Sequence, residues 1–387
     1  MRSLTAGSLT AFVVLGLIEA ALGPALLHLA RTTGSTLSAI SYLFIAQNFG
    51  YMLGAIVGGR LYDRLPGNRL MAGGLLALVP ALILIPLGRS LAMLLSVIAF
   101  LGIQQGLVDV GGNVLILWTP PGGRRVRMNA LHLLFGAGAF LSPLILAQAI
   151  RLTGGVAWQF WTLAILALPA VLFLLRPPPI RGGHDAPAAP GGGTRPLLVA
   201  LSVLLLFLAV AAEIGFGSWI YAYALRRRIA EAVGAAYLTS LFWGCFAAGR
   251  LASTLLSLRL KPLTMILAGL GGCLASTSVF LALPQLTWAA WLGTAVFGFF
   301  VGPLFASIFN LAGEAVRISG QVAGIFMVGT SLGMLFLPWL IGQLFEPLGP
   351  TVLPVSLAIT LAGALLCTLL LRLAAVRSGR AAAEAAS

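Results

Sequence analysis

Residues 91–118 read LAMLLSVIAFLGIQQGLVDVGGNVLILW, a stretch in which Asp109 is the only ionisable residue. The stretch is long enough to cross a bilayer as an α-helix. A carboxylate at the centre of such a helix costs about 3 kcal/mol on membrane-insertion scales. Gln105 and Asn113 lie four residues before and after Asp109, which places the three side chains on one helical face. This face predicts a polar path through a membrane.

The composition indicates a membrane protein. Hydrophobic residues make up 60% of the 387 residues and charged residues 8%, and the mean hydropathy is +1.05. These values predict an all-α protein with many transmembrane helices. The net charge of +14 comes from basic residues scattered between apolar segments, without the aromatic-lined basic stripe typical of nucleic-acid binding. We therefore expect the lipid bilayer as a partner and no nucleic acid. The three cysteines lack CxxC spacing, which argues against a metal site.

Apolar runs between charged or Pro/Gly-rich breaks predict twelve spans. These spans begin at about residues 7, 37, 70, 91, 128, 156, 197, 234, 263, 287, 320 and 351. An even number of spans puts both termini on one side of the membrane. With cytoplasmic termini, most of the 23 Lys and Arg residues lie inside, as the positive-inside rule requires. We expect this topology in a bacterial inner membrane or another plasma membrane.

A Pro/Gly-rich segment divides the spans into two sets of six. Residues 176–196 read RPPPIRGGHDAPAAPGGGTRP, which predicts a linker without packed structure. The expected organisation is an N-terminal six-helix half (1–176), a cytoplasmic linker (177–196) and a C-terminal six-helix half (197–387). Residues 54–61 and 244–251 share the pattern Gly-x-x-x-x-Gly-Arg-Leu, which supports two pseudo-symmetric halves, a transporter feature. Small residues that only pack helices together would give the same pattern.

The loop after the second span reads GGRLYDRLPGNR, residues 58–69. It resembles the loop motif of the major facilitator superfamily, although Pro66 lengthens the turn. The matching residues of this gating loop are Gly59, Asp63, Arg64 and Arg69. The resemblance implies a cytoplasmic latch, in which Asp63 pairs with an arginine of a neighbouring helix end. The candidate partners are Arg124, Arg125 and Arg127. An ordinary charged loop is the alternative interpretation.

Five further segments carry a closer resemblance. They are LGPALLHLA (22–30), GLVDVGGNVLILW (106–118), MNALHLLFGAGAFLSPL (128–144), EIGFGSWIYAYA (213–224) and LFWGCFAAGR (241–250). They look like the sodium-dependent glucose transporter branch of the superfamily and, more distantly, the fucose/proton symporters. The resemblance implies a sugar substrate taken up with a coupling cation. It also implies a coupling or sugar-binding role for Asp109, and it aligns Glu213 with an acid of the family.

The polar residues of the spans have two interpretations each. Asp109 can exchange a proton or help to bind sodium, or it can hydrogen-bond a neighbouring helix. The amides of Gln105 and Asn113 suit sugar hydroxyls, but they equally suit contacts between helices. Glu213 lies midway along the seventh span, so that each half offers one buried acid.

Aromatic and titratable residues complete the predicted substrate and cation site. Trp219 and Trp243 can stack on a sugar ring, or they belong to an interfacial belt and the core respectively. We expect Tyr223 in the belt. His132 can relay protons to Asp109, or it is a helix-interface histidine. Glu19 extends the cation path or faces a partner such as His132. Further candidate cavity residues are Gln47, Asn48 and Asn310.

The sequence therefore predicts a monomeric secondary transporter that moves a small polar solute, a hexose in the favoured interpretation, by alternating access. Coupling is to a proton or a sodium ion, and no cofactor is expected. Proton-coupled efflux of amphipathic compounds is an alternative on the same fold. A membrane enzyme or a non-transporting sensor is an alternative of another class. For an enzyme the sequence lacks a zinc-ligand helix, a GxSxG elbow and a phosphate-binding loop.

Overall fold

The computed structural model of the protein describes residues 2–120, 122–180, 196–316 and 320–384. These residues form fifteen α-helices, one 3₁₀ turn (Ile85–Leu87) and no β-strand. The helices of the first half are α1 (Arg2–Glu19), α2 (Leu22–Thr33), α3 (Leu37–Ile40), α4 (Tyr42–Tyr62), α5 (Gly67–Leu84), α6 (Leu91–Leu117), α7 (Arg124–Thr153) and α8 (Ala157–Leu175). Those of the second half are α9 (Pro196–Arg226), α10 (Ala232–Leu256), α11 (Pro262–Ala282), α12 (Thr287–Val301), α13 (Leu304–Ala315), α14 (Gly320–Leu348) and α15 (Val352–Glu384).

The helices give the predicted number of spans. Eleven stretches are long and apolar enough to cross a membrane, and α1 with α2, bent by 48°, supplies the twelfth. Helices α3 and α4 share one span, as do α12 and α13, which are separated by Gly302 and Pro303. The predicted all-α fold with twelve transmembrane helices in two halves is confirmed. The exact borders of the linker stay a prediction, because residues 181–195 lie outside the described residues.

Glycines bring α4 and α6 into backbone contact in the N-terminal half. A Cβ atom on Gly54 would lie 1.9 Å from the carbonyl oxygen of Ile103, and one on Gly106 would lie 2.1 Å from that of Tyr51. Gly249, the counterpart of Gly59 in the sequence repeat, approaches the Phe299 carbonyl of α12 equally closely. The close approach lets short polar side chains on these helices reach each other.

Helix α9 lies inside the C-terminal half, and this position determines the surroundings of Glu213. Every residue from 209 to 224 is buried, because α9 packs against α14 and α15 and also against α2 of the other half. Tyr223 is completely buried, edge-on to Phe280. The expected belt position of Tyr223 is therefore wrong, since a belt residue would face lipid.

The two halves are joined at the face opposite the termini. There the Leu37 N–H donates to Glu346 Oε1 at 3.0 Å, and Gln343 Nε2 donates to the Ser38 carbonyl at 2.8 Å and to Ser41 Oγ at 3.0 Å. Closer to the middle, Ser240 Oγ donates to the Phe140 carbonyl at 2.7 Å. All side-chain hydrogen bonds between the halves, within the described ranges, lie between this face and the middle of the spans. We call this set of contacts the distal closure.

The gating loop on the opposite face is not latched. Asp63, Arg64 and Arg69 are exposed. The two neighbouring guanidinium groups bind the α6–α7 turn instead: Arg124 Nη2 donates to the Thr119 carbonyl at 2.8 Å, and Arg127 Nη2 donates to the Pro120 carbonyl at 2.6 Å. The predicted pairing of Asp63 with either arginine is therefore absent from this conformation, as far as the described side chains show. The side chain of Arg125 lies outside the described part.

The close packing at the distal closure predicts that one added methyl group, in Gly342→Ala, opens this face. A Cβ on Gly342 would lie 2.2 Å from Ser41 Cβ, so Gly342→Ala should hold α14 away from α3 and α4 at this face. We expect a Cys placed at Ser38, in a chain without its native cysteines, to react with a maleimide at least about five times faster in this variant. Gly324→Ala is the matched control, because the same helix leaves open space there. Equal labelling rates in both variants would contradict the prediction.

Candidate functional site

Two hydrogen bonds between side chains join α4 to α6 in the interior of the N-terminal half. Gln47 Nε2 donates to Gln105 Oε1 at 2.9 Å. One turn further along both helices, the Tyr51 hydroxyl donates to Asp109 Oδ2 at 2.6 Å. The two bonds have the same register because the helices run parallel and touch at their glycines. The structure therefore brings together Gln47, Gln105 and Asp109 of the predicted site, and it adds Tyr51.

The second oxygen of Asp109 remains free for a ligand. No described side chain or backbone group donates a hydrogen bond to Oδ1, and the residue is half-buried. Asn113 Nδ2 donates to the backbone carbonyl of Asp109 at 2.9 Å, so this amide is partly used within its own helix. Asp109 thus combines one fixed oxygen with one available oxygen inside an apolar span. A carboxylate in that state can bind a cation or a hydroxyl group.

Glu19 adds a second carboxylate from α1. It is the last residue of that helix, directly before the 48° bend into α2. It lies near enough to Glu213 and Asp109 for the three charges to repel one another when they are ionised. The alternative partner, His132, forms no ion pair with Glu19 among the described contacts. The place of Glu19 in the polar path stays a prediction.

Glu213 has a basic partner that the sequence analysis missed. Arg250 Nη2 lies 3.9 Å from Glu213 Oε1. The guanidinium group also donates from Nε to the Gly302 carbonyl at 3.4 Å and lies over the Phe246 ring at 4.3 Å. The side chains keep 32% (Arg250) and 10% (Glu213) of their surface accessible, although Glu213 lies in the middle third of α9 and Arg250 lies within α10, six residues before its end. The pair thus adjoins solvent-accessible space inside the molecule.

His132 lies on α7, which packs against α10, the helix that carries Arg250. Its ring packs edge-on against Phe12 of α1, with centroids 5.9 Å apart, and it interacts electrostatically with Arg250. The described contacts contain no hydrogen bond from His132 to Asp109. The proton relay between these two residues therefore stays a prediction.

The two candidate tryptophans differ in what their indole N–H groups bind. Trp219 is completely buried between Phe44 and Phe345, and its Nε1 donates to the Pro338 carbonyl at 2.8 Å. In this conformation its ring packs on Phe44 and Phe345 beside the distal closure and leaves no room for a sugar. Trp243 is 2% exposed, and its Nε1 has no hydrogen-bond partner among the described groups. An unpaired buried N–H is unfavourable, so Trp243 is the better candidate for a ligand donor in a conformation that uncovers this enclosed atom.

The remaining predicted polar residues are dispersed. Asn48 Nδ2 donates to the Phe44 carbonyl at 2.9 Å and to the Met334 carbonyl of the other half at 3.4 Å. Asn48 therefore takes part in the distal closure. Asn310 is exposed on α13 and forms no contact with the polar residues above in the described part of the chain.

Sequence signals for the two missed residues did exist. Gln47 and Tyr51 are spaced like Gln105 and Asp109, which is the pattern of two pairs on facing helices. Arg250 is part of the repeated motif and lies inside a span, where a charged residue needs a partner. Neither signal identified the partner, because which helices are neighbours is decided by the tertiary fold. No group of three or more His, Cys, Asp or Glu side chains that could hold a metal ion occurs within the described ranges.

Comparisons with known proteins agree with this architecture. The family model described as Major Facilitator Superfamily matches residues 8–338. Sodium-dependent glucose transporter 1 of Xenopus laevis is 29% identical over 396 residues, covering 94% of this chain and 80% of its own. The protein of the same name from Homo sapiens is 28% identical over 405 residues, covering 94% and 78%.

Among solved structures, a D-xylose-proton symporter superposes with a TM-score of 0.73 at 14% sequence identity. The match covers 96% of this chain and 97% of that chain. At this identity the likeness concerns the fold, which is the same arrangement of helices. Because the family model spans most of the chain, the chain belongs to the Major Facilitator Superfamily, and the protein is a multi-pass membrane transporter and not an enzyme.

Proposed function

We propose that the protein takes up a small polar solute, a hexose in the simplest case, together with a proton or a sodium ion by alternating access. The observation that carries this proposal is the carboxylate of Asp109, held by Tyr51 with one oxygen free, at the centre of an apolar span. The names of the relatives support a sugar and a coupling cation. The xylose-proton symporter shares the fold.

Asp109 is the coupling acid in this proposal, and Glu213 is the binding acid. A cation at Asp109 neutralises a charge that would otherwise have to move within the hydrocarbon as the halves rock. The loaded carrier then changes conformation readily, whereas the empty and charged carrier does not. Hydroxyl groups of the solute would bind the Glu213 carboxylate, which keeps 10% of its side-chain surface accessible, and the unpaired Trp243 N–H in a conformation that uncovers it.

The proposed topology indicates towards which side of the membrane the observed conformation is open. We place both termini in the cytoplasm of a bacterial or other plasma membrane, on the distribution of basic residues. The distal closure then lies on the outer face, and the unlatched gating loop lies on the inner face. The structure would be the inward-facing state, from which solute and cation are released. We take the working unit to be a monomer.

Uptake into proteoliposomes tests the proposal. Radiolabelled glucose, galactose and fucose are supplied in turn, with a sodium gradient and a proton gradient imposed separately. We expect at least one sugar to accumulate at least about tenfold above its external concentration under one of the two gradients. Lack of accumulation of all three sugars under both gradients, with correctly folded and oriented protein, would overturn sugar uptake. That outcome would favour efflux or another class of solute.

Removing the charge of the coupling acid should abolish coupling to the cation and leave solute binding in place. In Asp109→Asn the side chain keeps its shape and one acceptor oxygen but loses the charge that the cation balances. We expect gradient-driven accumulation to fall at least about tenfold, while exchange of internal for external sugar, which needs no net cation movement, continues. Unchanged accumulation with unchanged cation dependence would remove Asp109 from the coupling role.

Tyr51 is expected to act by holding the Asp109 carboxylate in place. Hydrogen bonds to charged groups contribute about 1.5–3 kcal/mol, which corresponds to tenfold or more in an equilibrium constant. In Tyr51→Phe we therefore expect the cation concentration for half-maximal uptake to change about tenfold, with little change in protein yield. Tyr42→Phe is the control, because Tyr42 is exposed, its hydroxyl forms no hydrogen bond within the described ranges, and Phe keeps its ring contact with Trp339. Equal behaviour of the two variants would count against this role.

A further inference from the structure

Arg250 is an unusual charge because it lies inside a span. Its guanidinium group has three partners: Glu213 Oε1 at 3.9 Å, the Gly302 carbonyl oxygen at 3.4 Å and the face of the Phe246 ring at 4.3 Å. Gly302 lies at the break between α12 and α13, where the helix ladder is interrupted. The three contacts fix Arg250 between α9, α10 and α12.

The three interior carboxylates differ in whether a positively charged side chain lies beside them. Glu213 pairs with Arg250, and this is the single ion pair that the described side chains form. Glu19 and Asp109, both of the N-terminal half, have no basic partner in the same set of residues. His132 of α7 packs against Phe12 and forms no ion pair with either acid within the described contacts. The uncompensated negative charge therefore belongs to the N-terminal half.

The sequence repeat shows that the interior arginine is particular to the C-terminal half. Arg60 occupies the equivalent place of the repeat in the N-terminal half, but its side chain is exposed and pairs with no described acid. One glycine of the repeat makes a close backbone contact in each half, Gly54 with Ile103 and Gly249 with Phe299, and neither contact involves the arginine. An interior position for Arg250 is therefore not a requirement of the fold, and the carboxylate of Glu213 accounts for it.

The pair is close enough for charge compensation and too long for a hydrogen bond at 3.9 Å. No described group donates a hydrogen bond to the Glu213 carboxylate, so its oxygens keep their capacity to accept. A paired carboxylate has no need of a bound cation, whereas removal of one partner from such a pair leaves a buried charge that is strongly unfavourable.

We propose that Arg250 is the resident counter-charge of Glu213, so that Glu213 contacts the solute as part of an ion pair and cation coupling is confined to the acids of the N-terminal half. This inference rests on the proposed function and assigns to Arg250 a positioning and charge-balancing role in it. It predicts that the coupling cation binds at Asp109 and Glu19, and that Glu213 does not change the number of cations transported with each solute molecule.

The test is a double-mutant cycle with Arg250→Gln, Glu213→Gln and the variant that carries both changes. We expect Arg250→Gln to lower the initial rate of sugar uptake at least about tenfold in the native background. In the Glu213→Gln background the same change should have less than about a twofold effect, because no carboxylate is left to compensate. An equally large loss in both backgrounds would overturn the counter-charge role.

The cation-to-sugar ratio provides a readout that a merely structural role would not move. Measured from the membrane potential at which net uptake reverses, the ratio should be the same in Glu213→Gln as in the native protein. A lower ratio in Glu213→Gln would overturn the proposal, because Glu213 would then bind a coupling cation itself.

The same double-mutant cycle can be measured by thermal unfolding in detergent, in the absence of solute. We expect Arg250→Gln to lower Tm by several degrees and the double variant to recover most of that loss; a double variant no better than Arg250→Gln would contradict the pairing. Arg176→Gln is the matched control, since Arg176 also lies over a phenylalanine ring, at 5.2 Å, but pairs with no described acid. Absence of uptake in the native protein would overturn the proposed function, while the unfolding cycle would still decide whether the pair exists.

Discussion

The cost of placing a carboxylate inside a bilayer governs the interior of this protein. Each interior acid must be compensated by a hydrogen-bond donor, an opposite charge or a bound cation. Asp109 receives the Tyr51 hydroxyl, and Glu213 receives the Arg250 guanidinium. Compensation in the first case is incomplete, because a hydroxyl carries no charge. That difference between the two halves is the physical basis for assigning coupling to one half and solute contact to the other.

Backbone contact at glycines makes the precise polar geometry of the N-terminal half possible. Side chains as short as Gln and Asp can meet across a helix pair only where the backbones touch, and Gly54 and Gly106 provide that contact between α4 and α6. The same device at Gly342 lets α14 approach α3 and α4 in the distal closure. Small residues thus support both the binding geometry and the movement between states.

The distal closure and the gating loop describe one conformational state from two ends. At one face, Gln343 and Glu346 bind the beginning of the second span. At the other face, Asp63 stays exposed, while Arg124 and Arg127 bind backbone carbonyls of their own turn. In an alternating-access cycle the two sets of contacts form at different times. The unformed latch is therefore what a state closed at the distal face requires.

The sequence by itself determined the fold class, the twelve spans and the interior position of Asp109 and Glu213, because apolar length and the cost of charge in lipid are properties of single segments. It also marked Gln47 and Gln105 as polar residues without showing that they bind each other. Only the tertiary structure decided that Tyr51 and Arg250 are the partners of the two acids and that Trp219 packs beside the closure. It also showed that Tyr223 lies in the core. Those outcomes depend on which helices are neighbours and how closely they approach, and contacts between segments far apart in the chain leave no periodic trace in the sequence.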